Sequence, residues 1–393
     1  MRALLFSIAA LASALPIAHA QEATDNDVLN ARDLVAFTQR DPFVGARLSG
    51  MGGAAAGGVA DWSAVYANPA AIGFLSRSQA VGALGTFRVE NDVTDAFGTE
   101  SDGVSRTTLG QLGYAAKLPT ARGSLVIGGG YHEVGLYDRP FFFDNTQGYE
   151  EGQLGEVAVA AAIAVAPRTM AGISVNAAVG QYQLDRTAGT SYAATDLSLR
   201  GVNARLGFAS EVAPGLRFGL ALETPTLYDV DEEQEFGASD YDLYQYRITT
   251  PWRVTLGSAY QPLPDLLVAF DVALENGAEA RFRPTGDFVP TNDLIRRELR
   301  ETVEARLGAE ARLGPVLARA GYAVAQDPLR DLRPEGVDGL RQHLTTGLGV
   351  QAGPLAQVNL AFVHTWFEDG ALPGDPVEQV RRNRVVLGVQ VRF

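Results

Sequence analysis

Residues 302–313 read Thr302-Val303-Glu304-Ala305-Arg306-Leu307-Gly308-Ala309-Glu310-Ala311-Arg312-Leu313. Val303, Ala305, Leu307, Ala309, Ala311 and Leu313 take every second place, and every residue between them is polar, charged or glycine. Successive side chains of a strand point to opposite faces, so this segment has one apolar side and one wet side. A helix would scatter both kinds around its axis. Leu266–Glu275 alternates in the same way, with Leu266, Val268, Phe270, Val272 and Leu274 opposite Leu267, Ala269, Asp271, Ala273 and Glu275. In Tyr246–Gly257, Ile248, Trp252, Val254 and Leu256 oppose Arg247, Thr249, Arg253 and Thr255.

About fourteen such segments follow one another, near residues 79–89, 107–118, 123–135, 153–166, 169–183, 196–212, 215–224, 243–260, 266–276, 301–313, 315–325, 341–352, 355–367 and 380–393. Short connections at Pro119–Gly123, Pro167-Arg168, Ala213–Gly215, Leu263–Asp265, Gly314 and Gly353-Pro354 alternate with long ones. The long ones are Glu90–Arg106, Leu136–Gly152, Asp185–Thr195, Thr226–Asp242, Gly277–Arg300, Gln326–Leu340 and Glu368–Gln379. An even strand count with loops sorted by parity predicts an all-β fold, a transmembrane antiparallel β-barrel of about 14 strands over residues 78–393. A secreted sandwich shares the alternation but has no reason to sort its loops, and no 40- to 50-residue repeat suggests a propeller.

Met1–Ala20 carries Arg2, an apolar run from Ala3 to Leu15, and Ala18-His19-Ala20 before Gln21, the pattern of a secretory signal peptide cleaved near Ala20. The run is shorter than the roughly 18 to 20 residues that span hydrocarbon. The 393 residues include no cysteine, which excludes a disulfide scaffold, a thiolate metal site and a cysteine nucleophile. With 32 Lys+Arg against 46 Asp+Glu, the net charge of −14 argues against nucleic acid as a partner. Of the four histidines, only His132, near Asp138, has a possible catalytic neighbour, and no third group orients the pair. An enzyme is therefore not expected, nor a cofactor or a metal site.

Residues 21–77 differ in composition. They hold Gly50-Met51-Gly52-Gly53, Ala60-Asp61 and Asn68-Pro69-Ala70. Small residues let backbone pass close to a barrel wall, and Asp61 or Ser63 can cap a short helix that Asn68-Pro69 ends. The segment is expected to be a lumenal hatch. Gly50-x-Gly52-x-x-Ala55 superficially matches a dinucleotide fingerprint but lacks the βαβ context.

This signature, Gly50, Gly52, Gly53, Asp61, Asn68 and Pro69 followed by the first strand, resembles the N-terminal hatch of the FadL/TodX family of outer-membrane transporters, with PorV-like secretion relatives next. The resemblance implies a monomeric barrel in the bacterial outer membrane, a hatch in its lumen, and passive uptake of hydrophobic molecules of long-chain fatty acid or aromatic type. It also implies a lateral exit at a kinked third strand, for which Gly128, Gly129 and Gly130 are the candidates; close packing of these glycines against the hatch is the equal alternative. The alternative is a PorV-like barrel acting in protein secretion or docking. Phe141, Phe142 and Phe143, placed in a loop, are expected to be exposed and to capture ligand. Strand parity predicts Arg88, Arg247 and Arg384 as lumen cations. Lower in the strands, Arg253, Arg306 and Arg312 are expected to pair with inward acids such as Glu223, Asp271, Glu275, Glu304 and Glu310, or with the hatch. Lipopolysaccharide, a hydrophobic ligand and the barrel-assembly machinery, reading the terminal Phe393, are the expected partners; the acid-rich stretch Asp229–Asp242 is a further candidate contact with lipopolysaccharide-bound cations.

Overall fold

The computed structural model describes residues 25–95, 98–143, 146–188, 191–237, 240–284, 288–329, 332–370 and 376–393; the expected signal peptide, 1–20, lies outside them. The wall has fourteen antiparallel strands. They are β1 Gln79–Asp95, β2 Gly98–Leu118, β3 in two pieces (Leu125–Leu136 and Arg139–Phe143), β4 Thr146–Ala166, β5 Thr169–Ala188, β6 Ser191–Ala213, β7 in two pieces (Leu216–Glu223 and Leu227–Phe236) and β8 in two pieces (Asp240–Thr249 and Arg253–Leu263). β9 Leu266–Asn276, β10 Glu301–Leu313, β11 Val316–Gln326, β12 Leu340–Ala352, β13 Ala356–Asp369 and β14 Glu378–Arg392 complete it. β1 closes the sheet on β14 from Gln79 opposite Arg392 to Val93 opposite Glu378, so the sheet has no free lateral edge there. Each expected segment falls on one of these strands.

Outward side chains in the middle of the wall form an apolar belt, including Leu84, Leu112, Ile127, Val159, Phe208, Leu220, Leu307 and Leu387. In water such a belt would be an aggregation surface, and in a bilayer it matches its solvent.

Four of the expected long loops are instead strand. β1 and β2 pair up to Asp95 opposite Gly98, β5 and β6 up to Ala188 opposite Ser191, and β7 and β8 up to Phe236 opposite Asp240; β4 starts at Thr146. The reason is an inversion of polarity along the strands. In the lower part of β6, Val202, Leu206 and Phe208 face out while Asn203 and Arg205 face in; higher up, Asp196 and Arg200 face out while Leu197 and Leu199 face in. Beyond the lipid the outside is wet and the inside packs on protein, so a search for apolar-out alternation stops where the bilayer stops.

That inversion also corrects two lumen cations. Arg88 shares the outward face of β1 with Leu84, and its side chain is 59% exposed beside Glu90, whereas Phe87 and Val89 point inward. In β8 the ladder breaks between Thr249 and Arg253, which shifts the parity, so that Ile248 and Arg253 both face in. Arg247 consequently points out, 71% exposed, to Asp229. Arg384 is inside, and is buried.

The chain before β1 lies within the barrel. It forms α1 Asp25–Thr38, α2 Gly45–Ser49 and two 3-10 turns, Trp62–Tyr66 and Pro69–Phe74. A third helix, α3 Val289–Glu298, rises between β9 and β10 and packs against α1. Together with Tyr137, Tyr182, Leu199, Tyr228 and Ile248, the two helices bury an apolar cluster that includes Leu34, Phe37, Leu294 and Ile295.

Candidate functional site

The residues of the expected hatch motif each fix backbone against the wall. Gly52 and Gly53 have φ of +65° and +76°, conformations that side chains rarely adopt. Gly52 N–H donates to Thr345 Oγ1 at 3.0 Å, and a side chain on Gly52 would run into the backbone of Leu307 and Tyr322. Gly50 lies against Gly347 of β12. Asp61 caps the first 3-10 turn, accepting from Ser63 N at 2.9 Å, and also accepts from Gln390 Nε2 of β14 at 3.1 Å. Asn68 caps the second turn through Ala70 N (3.0 Å) and donates to the carbonyls of Ala56 (2.8 Å) and Phe208 (3.1 Å). Pro69 takes the first position of that second turn, so Asn68-Pro69 both ends one turn and begins the next.

The wall answers with glycines at inward positions on many strands, among them Gly113, Gly207, Gly219, Gly257, Gly308 and Gly321, each where a side chain would collide with residues 51–70. Asp271 adds a polar anchor. It accepts from Ala55 N at 2.7 Å and Ala56 N at 2.9 Å, and it is buried. Asp271→Ala leaves two buried donors unmet, each costing about 1–3 kcal/mol. The expected result is protease cleavage within Gly50–Gly58 faster by about tenfold or more, since 1.4 kcal/mol is tenfold in an opening equilibrium. The barrel itself should keep its heat-modifiable mobility on gels, and equal protection in variant and parent would refute the anchor.

Arginine–carboxylate pairs dominate the lumen, because buried charge is tolerated only when partnered. Arg40, from the chain after α1, reaches Glu156 and Glu223 at 2.7 Å each, and Arg205 reaches the same two acids at 2.7 Å each. Arg253 pairs with Glu275 and Glu304, Arg306 with Glu304, and Arg47 and Arg319 share Glu310. Asp369 binds Arg32 of α1, Arg139 of β3 and Arg333 of the β11–β12 connection. At Arg333, burial alone would lower the pKa, but Asp369 and Asp327 outweigh it and raise the pKa above its ordinary value. Of the acids expected to pair with Arg253, Arg306 and Arg312, Glu275 and Glu304 do so, whereas Glu223 is held by Arg40 and Arg205, Glu310 by Arg47 and Arg319, and Asp271 serves backbone; Arg312 is half-exposed near Asp265 instead.

β3 departs from the wall partway up. It pairs with β2 only from Gln111 opposite His132 down to Leu118 opposite Leu125. Above that, among the described residues, Gly98–Gly110 of β2 have ladder partners on β1 alone. The register of β3 on β4 shifts between Glu133 and Gly135, and the strand turns inward: Leu136 packs with Phe87, Val89 and Val380 on the inner wall, and Asn91 Nδ2 donates to Pro140 O at 2.9 Å. A gap is left in the ladder between β2 and the kink. Arg106 of β2 spans it to Asp138 and to Glu151, at 3.2 Å each. The N-terminal segment touches the kink directly: Asp41 N–H donates to Val134 O at 2.8 Å, and Arg384 joins Asp41 to Glu133.

Gly128–Gly130 are not the gap. Their ladders to β2 and β4 are continuous, and side chains on Gly128 or Gly130 would strike the Trp62 ring, whereas Gly129 faces outward. Phe141 is buried in the apolar cluster at 8% exposure, rather than exposed in a loop, on the inward piece of β3; the side chains of Phe142 and Phe143 lie outside the described residues. His132 stacks on Trp62 at 5.7 Å with Nδ1 toward Gln111, while Asp138 is held by Arg106, so the two do not form a pair.

Beneath α1 lies a cavity of about 170 Å³, bounded by Val35, Leu136, Tyr137, Tyr182, Phe367 and several arginines. Sequence reasoning missed it, because its lining comes from strands far apart in the chain.

No family model and no curated protein matches this sequence. Solved structures do. The Pseudomonas putida toluene transporter TodX is 15% identical, with 90% of this chain and 99% of that one covered and a TM-score of 0.63. A Pseudomonas aeruginosa FadL homologue is 12% identical over 89% of this chain and 98% of that one, with a TM-score of 0.67. The Ralstonia pickettii toluene transporter TbuX is 16% identical over 89% and 98%, with a TM-score of 0.60. The likeness covers nearly the whole of each structure, and the chain is built on the FadL/TodX fold.

Proposed function

We propose that this protein is a channel of the bacterial outer membrane for passive uptake of small hydrophobic molecules, with residues 25–77 as its plug and the gap between β2 and β3 as its exit. The observation that supports this reading is the conjunction of an N-terminal segment packed inside the barrel against glycines of the wall with a ladder left unpaired at one place, beside an apolar cluster. A solute soluble in neither water nor lipopolysaccharide gains free energy of roughly 25 cal/mol per Å² of apolar area it buries, so an apolar interior collects it. The side opening then releases it to lipid without a passage through water. The fold likeness to toluene transporters supports the same class of cargo. Phe393 is exposed beside Tyr114 at the end of the barrel with the short turns, and its exposure supports its reading as the contact for the assembly machinery.

Closing the gap tests the exit. The chain has no cysteine, so Arg106→Cys with Asp138→Cys gives one unique thiol pair for a short bismaleimide. Cross-linked cells are expected to take up labelled toluene at the background rate of cells lacking the protein, while either single variant treated alike retains uptake. Full uptake through the cross-linked barrel would remove the lateral exit.

A further inference from the structure

The arginines around the cavity are unevenly partnered. Its carboxylates are engaged: Glu304 and Glu275 by Arg253, Glu150 by Arg139, Asp369 by three arginines, Asp327 by Arg333, Asp41 by Arg384, and Glu368 by the Asp338 N–H. Two arginines of the lining lack a carboxylate partner within salt-bridge distance among the described residues, Arg341 of β12 and Arg382 of β14. Arg341 makes no hydrogen bond there and lies 4.2 Å over the Phe367 ring of β13. Arg382 gives one hydrogen bond, to Leu136 O at 3.1 Å, and its Nε is buried with no partner. Registers place the two on either side of β13, since Thr365 stands opposite Arg382 and Gln342, next to Arg341, stands opposite Trp366. Arg341 over the Phe367 ring and Arg382 over the Phe87 ring, with donors unspent, offer an incoming anion charge-assisted hydrogen bonds.

The space selects the anion. A cavity of about 150 Å³ holds one benzene, so about 170 Å³ matches a single ring with one small substituent better than a long acyl chain. Leu136, Tyr137 and Tyr182 supply apolar lining. We propose that this cavity is a binding site for a small aromatic carboxylate, its ring against Leu136, Tyr137 and Tyr182 and its carboxylate accepting from the guanidinium groups of Arg341 and Arg382. The proposal rests on the channel reading above and narrows its cargo from neutral hydrocarbon to an aryl acid.

Isothermal titration of the mature full-length protein in detergent at pH 7 tests it, with benzoate, toluene and laurate as probes. Benzoate is expected to bind saturably. Charge-assisted hydrogen bonds are worth about 1.5–3 kcal/mol, so Arg341→Gln and Arg382→Gln should each weaken benzoate by about tenfold or more. Arg341→Gln removes no hydrogen bond to the described protein, which keeps folding apart from binding, and Arg341→Lys should restore much of the loss. Absence of saturable benzoate binding, equal affinity in both glutamine variants, or laurate binding as tightly as benzoate would each overturn the site. Toluene uptake that survives alongside failed benzoate binding would sink this site alone; uptake indifferent to the cross-linked gap would sink the exit route, and benzoate titration would still decide the site.

Discussion

Deleting residues 21–77 is expected to convert the barrel into an ion-conducting pore. Intact protein in planar bilayers should show little conductance, and the truncated form should show open steps at least about tenfold larger, as a water-filled barrel does. Residues 45–74 lie inside the barrel against inward glycines of strands on opposite walls. Their removal exposes Glu156, Arg205, Arg253, Glu304, Arg306, Glu310 and Arg319. Arg205 with Glu156, Arg306 with Glu304, and Arg319 with Glu310 remain paired on the wall without the deleted segment, and a charged lining wets readily. No ladder hydrogen bond between strands is lost. Conductance that stays at the level of the intact protein would show that other elements, α3 foremost, seal the lumen.

The second large effect separates two neighbouring glycines. Gly128→Val is expected to expel Trp62, because the added side chain occupies the place of the indole ring. Trp62 is fully buried, packed with Val65, Ile72 and Val126, and the loss of such a contact costs about 3–5 kcal/mol. Gly129→Val, whose new carbon meets only Ala158 O at 3.6 Å and faces the lipid, should change stability by less than about 1 kcal/mol. Trp62 emission should shift to the red and the N-terminal segment should become protease-sensitive in the first variant only. Matching behaviour of the two would mean that the glycines do not serve the hatch. The same comparison explains why three consecutive glycines are poor markers of an opening: two of them make room for a ring inside a continuous ladder, and the actual departure of β3 comes at Glu133–Gly135.

Much of the wall was legible because lipid imposes a strict rule on each residue in turn. Leu307 faces out and Arg306 faces in for reasons contained in the twelve residues around them. Arg88 and Arg247 were misplaced where that rule lapses: above the belt the outer face is wet, and a break at Thr250–Trp252 shifts parity in a way alternation cannot register. α1 was not foreseen either, since its apolar residues, Leu34, Val35 and Phe37, find their partners on β3, β5 and α3.

The sequence by itself determined the barrel, its strand count and the presence of a distinct segment before it, because period-two alternation and turn residues are local consequences of a two-sided environment. Only the tertiary structure decided where the wall opens, which arginines face inward and which two lack a carboxylate. Those properties depend on register and on charges brought together from β3, β12, β13 and β14, and no stretch of chain carries them alone.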